Sequence, residues 1–254
     1  MLGLGEAGSL IAADLAAAGA TVRGWDPAPR ESPPGVGLAN SDREAVRDVE
    51  AVLSVNSAAV ALEAARSVAG ALEPGALFAD LNAATPALKR AIAEVMEARG
   101  ADFADVALLR PVPGRGVRTP ALVSGPGAER FATLLGGYGM PITPVGPEPG
   151  AATARKLARS VFTKGQAAAI GEALEAAERL GVRDWLYDDI ERTLTDADDA
   201  FLRRAVEGSV HHAPRRADEM AAAVAMLEEL GVEPRVASAA RSWLEALAAE
   251  RATR

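Results

Sequence analysis

Two rhythms of apolar and polar residues run along this 254-residue chain, and they meet near residue 150. In the first half, short apolar runs alternate with amphipathic stretches. "ATVRGWD", "AVLSVNS", "PGALFADLN", "ADFADVAL", "PALVSGPG" and "PITPVG" read as strands. Between them, Leu10 to Ala18, "SDREAVRDVE", "VALEAARSVAGAL", "TPALKRAIAEVMEARG" and "AERFATLLGGYG" read as helices. Ser41 or Asp42 caps the second of these. Thr85 caps the fourth, with Pro86 at its first position, and Gly19 and Gly100 act as stops. "PAPRESPPGVG" reads as a loop. Strand-helix alternation of this kind predicts a parallel sheet with helices on both faces. After "GPEPG" nearly everything is helical. "AATARKLARSVFTKGQAAAIGEALEAAERLG" reads as one long helix, and four more helical stretches follow. The pattern places an α/β domain over 1–149 and an all-α domain over 150–254.

Composition narrows the classes. The chain has no cysteine, which excludes disulfides and thiolate chemistry and suits a reducing cytoplasm. Its net charge of -8 argues against nucleic acid and anionic membrane as main partners. Asp14, Arg23 and Asp26 interrupt the N-terminal apolar region, so no span or secretory signal is read there. His211 and His212 are the two histidines, and no metal-ligand spacing surrounds them.

The richest motif is "GLGEAG". Gly3, Gly5 and Gly8 match G-x-G-x-x-G, with Leu4, Glu6 and Ala7 between them. The first glycine permits a tight turn, the second lets backbone approach a pyrophosphate, and the third lets a helix pack closely on a sheet. The next helix then aims its N-terminal amides at the phosphates. In a chain with 24 glycines the motif alone is weak, but a strand ending in Asp26 follows. An acidic residue there accepts ribose hydroxyls and repels a 2'-phosphate. The cofactor read from this is NAD, while Arg30 nearby leaves NADP open. These features predict a Rossmann-type doubly wound fold. The lead-in strand should be about five residues long, yet two residues precede the turn. The expectation is a start upstream of Met1. Asn56 and Ser57, at the end of one strand, and Asn82, after the next, are further cofactor candidates. Ligands gather at the carboxyl ends of such strands. Thr85 is equally explained as a cap.

"GLGEAGS", "ADLNAATP" and "GAATARKLARSVFTKG" together resemble the β-hydroxyacid dehydrogenase superfamily. That group includes 6-phosphogluconate and 3-hydroxyisobutyrate dehydrogenases. "HHAPRRADEMAAAVAMLEELGVEP" resembles a branch with a helical C-terminal domain of unassigned function. The resemblance implies NAD(P)-dependent hydride transfer on a small, anionic β-hydroxyacid-like substrate, with Lys156 as general acid/base. It also implies a homodimer. Ser160 and Lys164 share a helical face with Lys156. Ser160 would orient the amine or the substrate, and Lys164 would help lower the amine's pKa or bind substrate. Arg110, Arg115 and Arg118 either bind a carboxylate or phosphate, or form a solvated loop. His212 is a cleft-lining candidate.

Two positions depart from the superfamily. Ser160 stands where an asparagine is common, and "DVALLRPVPGRG" replaces a glycine-rich substrate loop. Two alternatives therefore stay open. One is an imine reductase on the same scaffold, against which Lys156 counts. The other is a non-catalytic dinucleotide-binding module.

Overall fold

The computed structural model describes residues 1–28 and 31–252, so Arg30 lies outside the described residues. The chain divides into two compact units, Met1–Arg159 and Ser160–Arg254.

Among the described residues, the first unit is built on seven short strands: β1 (Val22–Gly24), β2 (Val36–Leu38), β3 (Ala51–Ser54), β4 (Leu77–Asp80), β5 (Asp102–Leu108), β6 (Ala121–Ser124) and β7 (Ile142–Pro144). β1 pairs with β2, and β3 to β7 pair in sequence order. One residue joins the two sets. Leu2 bridges in parallel to both Trp25 and Ser54. Its N–H donates to Leu53 O at 2.8 Å and its carbonyl accepts Val55 N–H at 2.7 Å. Gly3 N–H and Trp25 N–H complete the other side, donating to Trp25 O and Met1 O. Met1 and Leu2 thus hold the central place expected of the lead-in strand, between β1 and β3.

The sheet differs from the expected all-parallel one at a single place. β6 runs antiparallel to β5, in the register Asp105 to Ser124. The link from β5 to β6 is a loop with one 3-10 turn (Gly116–Arg118), and no helical crossover reverses the chain there. A second difference is β2, which emerges from the end of the stretch read as loop. Val36 is buried there beside proline and glycine that mask the strand pattern.

Helices α1 (Glu6–Ala17), α2 (Asp42–Ala45), α3 (Ala61–Ala69), α4 (Pro86–Glu97) and α5 (Ala128–Gly136) cover the sheet. Side chains alternate across each strand. Leu77 and Ala79 of β4 enter the cluster with Ile11, Leu15 and Phe131, while Phe78 enters the one with Val68, Ile92 and Met96. Every residue of β4 is buried, as a strand covered on both faces requires.

α6 (Ala151–Leu180) begins in this unit and continues into the second. There, α7 (Arg183–Thr195), α8 (Asp199–His211), α9 (Ala213–Glu229) and α10 (Arg235–Ala252) follow. Its small core gathers Ala176, Leu227, Val232 and Ala237. Glu172 ties α6 to α10, because its carboxylate accepts the first-turn N–H groups of Val236 and Ala237, both at 2.8 Å. It does from another helix what a local cap does. Among the described residues, no helix is long and apolar enough to cross a membrane.

Replacing Glu172 by alanine should lower the stability of the helical unit by about 1–2 kcal/mol, the usual worth of a lost cap. Urea unfolding followed by circular dichroism checks this. An unchanged midpoint would show that the two N–H groups are met otherwise.

Candidate functional site

The glycine turn is shaped by close backbone contacts. Gly3 has φ +94°, and a Cβ there would lie 2.2 Å from Val55 O. A Cβ at Gly8 would lie 2.1 Å from Gly3 O, so α1 leans directly on the turn. Gly5 differs: a Cβ there would meet nothing within 4 Å. The space beside Gly5 is open, and Gly5 is the N-cap residue of α1 with no side-chain cap. First-turn N–H groups with no cap are what an anion at a helix start requires. Leu4 is buried, Glu6 is exposed and Ala7 half-buried.

Asp26 lies against this turn. Its Oδ2 accepts Leu4 N–H at 2.8 Å and its Oδ1 accepts Ala28 N–H at 3.0 Å. Beside it, Leu2, Trp25, Pro27, Asn56 and Val60 line a cavity of about 250 Å³. Asn56 and Ser57 follow β3, the first half-buried and the second exposed.

Asn82 is buried, and its amide is engaged by the protein. Its Oδ1 accepts Asn56 N–H, and its Nδ2 donates to Ser54 Oγ at 3.2 Å and to Asp80 Oδ1. Asn82 thereby links the ends of β3 and β4.

From Asp80 a buried ionic cluster extends across the sheet. Lys89, on α4, has no solvent exposure. Its Nζ lies 2.7 Å from Asp80 Oδ2 and 3.2 Å from Asp105 Oδ1, and it donates to Asp80 O at 2.8 Å. Both carboxylates are also fully buried. Burial pushes the Asp80 carboxyl above its ordinary range, against the pull of Lys89.

Asp105 also reaches α6. Its Oδ2 accepts Thr153 N–H at 2.9 Å, and its Oδ1 accepts the Thr153 hydroxyl at 2.6 Å. Ser124 Oγ, on β6, accepts Ala152 N–H at 2.9 Å. Gly150 precedes the helix and has no side chain to cap it. A Cβ at Gly150 would lie 2.9 Å from Pro86 O. Two strands therefore supply the cap that the local sequence lacks.

Lys156 sits on α6 three residues after Thr153, half-buried and within the first unit. Arg159, one turn later, donates to Leu109 O at 3.2 Å. Ser160 and Lys164 lie on the part of α6 that belongs to the second unit, half-buried and exposed respectively. His212 is also in the second unit, exposed, at the start of α9. Partial desolvation, and then the neighbouring charges of His211, Arg215, Arg216 and Arg251, lower its pKa.

Arg110, Arg115 and Arg118 are exposed around the loop after β5. That loop is pinned by Asp14, whose Oδ2 accepts Val117 N–H at 2.9 Å. The structure thus gathers the glycine turn, Asp26, Asn56, Asn82 and Lys156 into one unit. Ser160, Lys164 and His212 fall in the other.

Sequence reading misses the cluster of Lys89, Asp80, Asp105, Ser124 and Thr153. One signal was present. Lys89 occupies the apolar stripe of α4, in step with the buried Ile92, Ala93 and Met96. A lysine in such a stripe demands a buried partner. The aspartate that closes β4, in "LFAD", and the one in the middle of β5, in "ADFADVAL", are that partner.

Comparison with known proteins agrees with this architecture. Residues 1–119 match the family model described as the NAD binding domain of 6-phosphogluconate dehydrogenase. Residues 177–247 match a domain of unknown function, DUF1932. The chain is 30% identical over 190 residues to a probable 3-hydroxyisobutyrate dehydrogenase of Mycobacterium tuberculosis, covering 71% of this chain and 64% of that protein. The chain thus spans less than two thirds of the length of that relative.

The crystal structure of a conserved hypothetical protein from Sinorhizobium meliloti 1021 is 29% identical, with a TM-score of 0.64, covering 96% of this chain and 86% of that one. The imine reductase from Myxococcus stipitatus in complex with NADP+ has a TM-score of 0.84 at 21% identity, covering 98% and 93%. At that identity the likeness concerns the fold. One chain thus joins a match to the NAD binding domain of 6-phosphogluconate dehydrogenase, over residues 1–119, to a match to the helical DUF1932 domain, over residues 177–247.

Proposed function

We propose that this chain is an NAD(P)-dependent oxidoreductase acting on a small, anionic β-hydroxyacid-like substrate, with Lys156 as general acid/base. One observation carries the reading. A single compact unit contains both an uncapped glycine turn suited to a dinucleotide and a half-buried lysine on a helix moored to that sheet. NAD(P), when bound, supplies the hydride acceptor or donor.

This chain's residues do the rest. The open side of Gly5 and the first-turn N–H groups of α1, from Glu6 and Ala7, hold the pyrophosphate. Asp26 accepts the ribose hydroxyls, which favours NAD over NADP. The cavity between Trp25, Asn56 and Val60 suits a flat, apolar base edge. Asn56 and Ser57, at the carboxyl end of β3, would meet the cofactor's ribose, and Asn82 holds Asn56 in place. Lys156 takes the hydroxyl proton as the substrate carbon is oxidised, and returns it in the reverse direction. Ser160 orients that amine. Arg110, in the same unit as Lys156, meets the substrate's negative charge.

The active form is read as a homodimer. Among the described residues, α7 buries none of its side chains, and Trp185 on it is 63% exposed. On α8, Phe201, Leu202, Val206 and Val210 are exposed as well. Apolar surface of this extent on two consecutive helices is what a second copy covers.

Two outcomes follow. Lys156→Ala should lower kcat by roughly a hundredfold or more, the usual worth of a positioned acid/base. Nucleotide affinity should stay unchanged. The assay is NAD(P) reduction with a panel of short β-hydroxyacids, 3-hydroxyisobutyrate among them. Undiminished turnover would remove Lys156 from the chemistry. Nucleotide binding with no turnover on the panel would favour the non-catalytic module, or, if cyclic imines are reduced by NADPH, the imine reductase. In light scattering the chain should run at twice its 26.1 kDa mass, and Trp185→Glu should shift it towards monomer. A wild-type monomer would overturn the dimer.

A further inference from the structure

We infer that Lys89, Asp105 and Thr153 are positioning residues, forming a buried mooring that sets where the first two turns of α6 hold Lys156. The inference deepens the reading of Lys156 as acid/base and rests on it.

The geometry is specific. A helix's second and third residues normally donate to the side chain of their own N-cap. In α6 that residue is Gly150, so the donors turn to the sheet. Ala152 N–H goes to Ser124 Oγ, and Thr153 N–H goes to Asp105 Oδ2. The Thr153 hydroxyl adds a third bond, to Asp105 Oδ1. These bonds fix both the height of α6 above the sheet and its rotation about its own axis. Thr153 and Lys156 are three residues apart, so they share a face and turn together.

Asp105 can hold this place as a carboxylate because Lys89 is within 3.2 Å and the positive end of α6 points at it. Without Lys89, Asp80 and Asp105 would be buried carboxylates facing one another with no cation between them. The cluster thus places a fixed anion under α6. The same cluster continues through Asn82 to Asn56. The strand ends near the nucleotide turn and the lysine helix share one rigid support.

The chain has three lysines, Lys89, Lys156 and Lys164, which makes a direct test practical. The full-length protein is labelled with trace acetic anhydride across a range of pH, and each lysine is quantified by mass spectrometry. In the wild type Lys89 should stay unlabelled until the protein is denatured. Thr153→Val removes one bond to Asp105 while keeping size and shape. It should raise the labelling rate of Lys156 about fivefold, the factor that one lost hydrogen bond carries. It should also move the pH of half-maximal rate, with Lys164 unchanged. Thr153→Ser should restore the wild-type profile.

A folded Thr153→Val protein with the wild-type Lys156 profile overturns the inference. So does equal acceleration of Lys156 and Lys164, which would signal general loosening. If Thr153→Val fails to fold, Ser124→Ala carries the same comparison through Ala152. The labelling does not depend on turnover. A Lys156→Ala enzyme that keeps its activity would therefore sink the catalytic reading while leaving this result standing.

Discussion

A lysine with no access to water constrains everything around it. An ammonium in that position requires opposite charge within contact distance, and removing one partner of a buried pair costs about 3–5 kcal/mol. Lys89 is met by Asp80 and Asp105, one from each of two adjacent parallel strands. The need for charge balance fixes α4 against the end of β4 and the middle of β5. Asp105 then has acceptor capacity to spare, and that capacity captures the start of α6. One ion cluster therefore sets the relation between the sheet, the helix after β4 and the helix that carries Lys156.

The glycine turn follows a complementary logic, in which steric exclusion replaces charge. Gly3 and Gly8 have no room for a side chain because Val55 and the turn itself occupy it. Gly5 has room and leaves it open. The contrast separates two jobs. Two glycines let the chain pack on itself, and the third keeps a surface clear at an uncapped helix start. Asp26 supports the turn by accepting Leu4 N–H, so the residue read as the ribose acceptor also shapes the site it serves.

Much of the fold was legible because it rests on local signals. Thr85 caps α4 as its sequence announces, with its hydroxyl accepting Leu88 N–H. Ser41 caps α2 in the same way. The buried strands β4 and β5 declare themselves as apolar runs. What stayed hidden depends on partners distant in sequence. Asp105 and Thr153 are 48 residues apart, and no spacing rule joins them. Leu2 acts as a strand through backbone bonds alone, which side-chain pattern does not record. Asp14 looked like an interruption of an apolar run, yet it pins Val117. β6 runs antiparallel because of the loop before it, which no residue in "PALVSGPG" reveals.

The central claim is that the turn at Gly3 to Gly8, with Asp26, is a working dinucleotide site favouring NAD. Equilibrium titration with NADH and NADPH, read by nicotinamide fluorescence, tests it most directly when the wild type is set beside Asp26→Asn. The account predicts saturable NADH binding that Asp26→Asn weakens about tenfold, the worth of a charge-assisted hydrogen bond. NADPH binding should be left unweakened. Absence of binding by either nucleotide, or loss of both alike on Asp26→Asn, would contradict it.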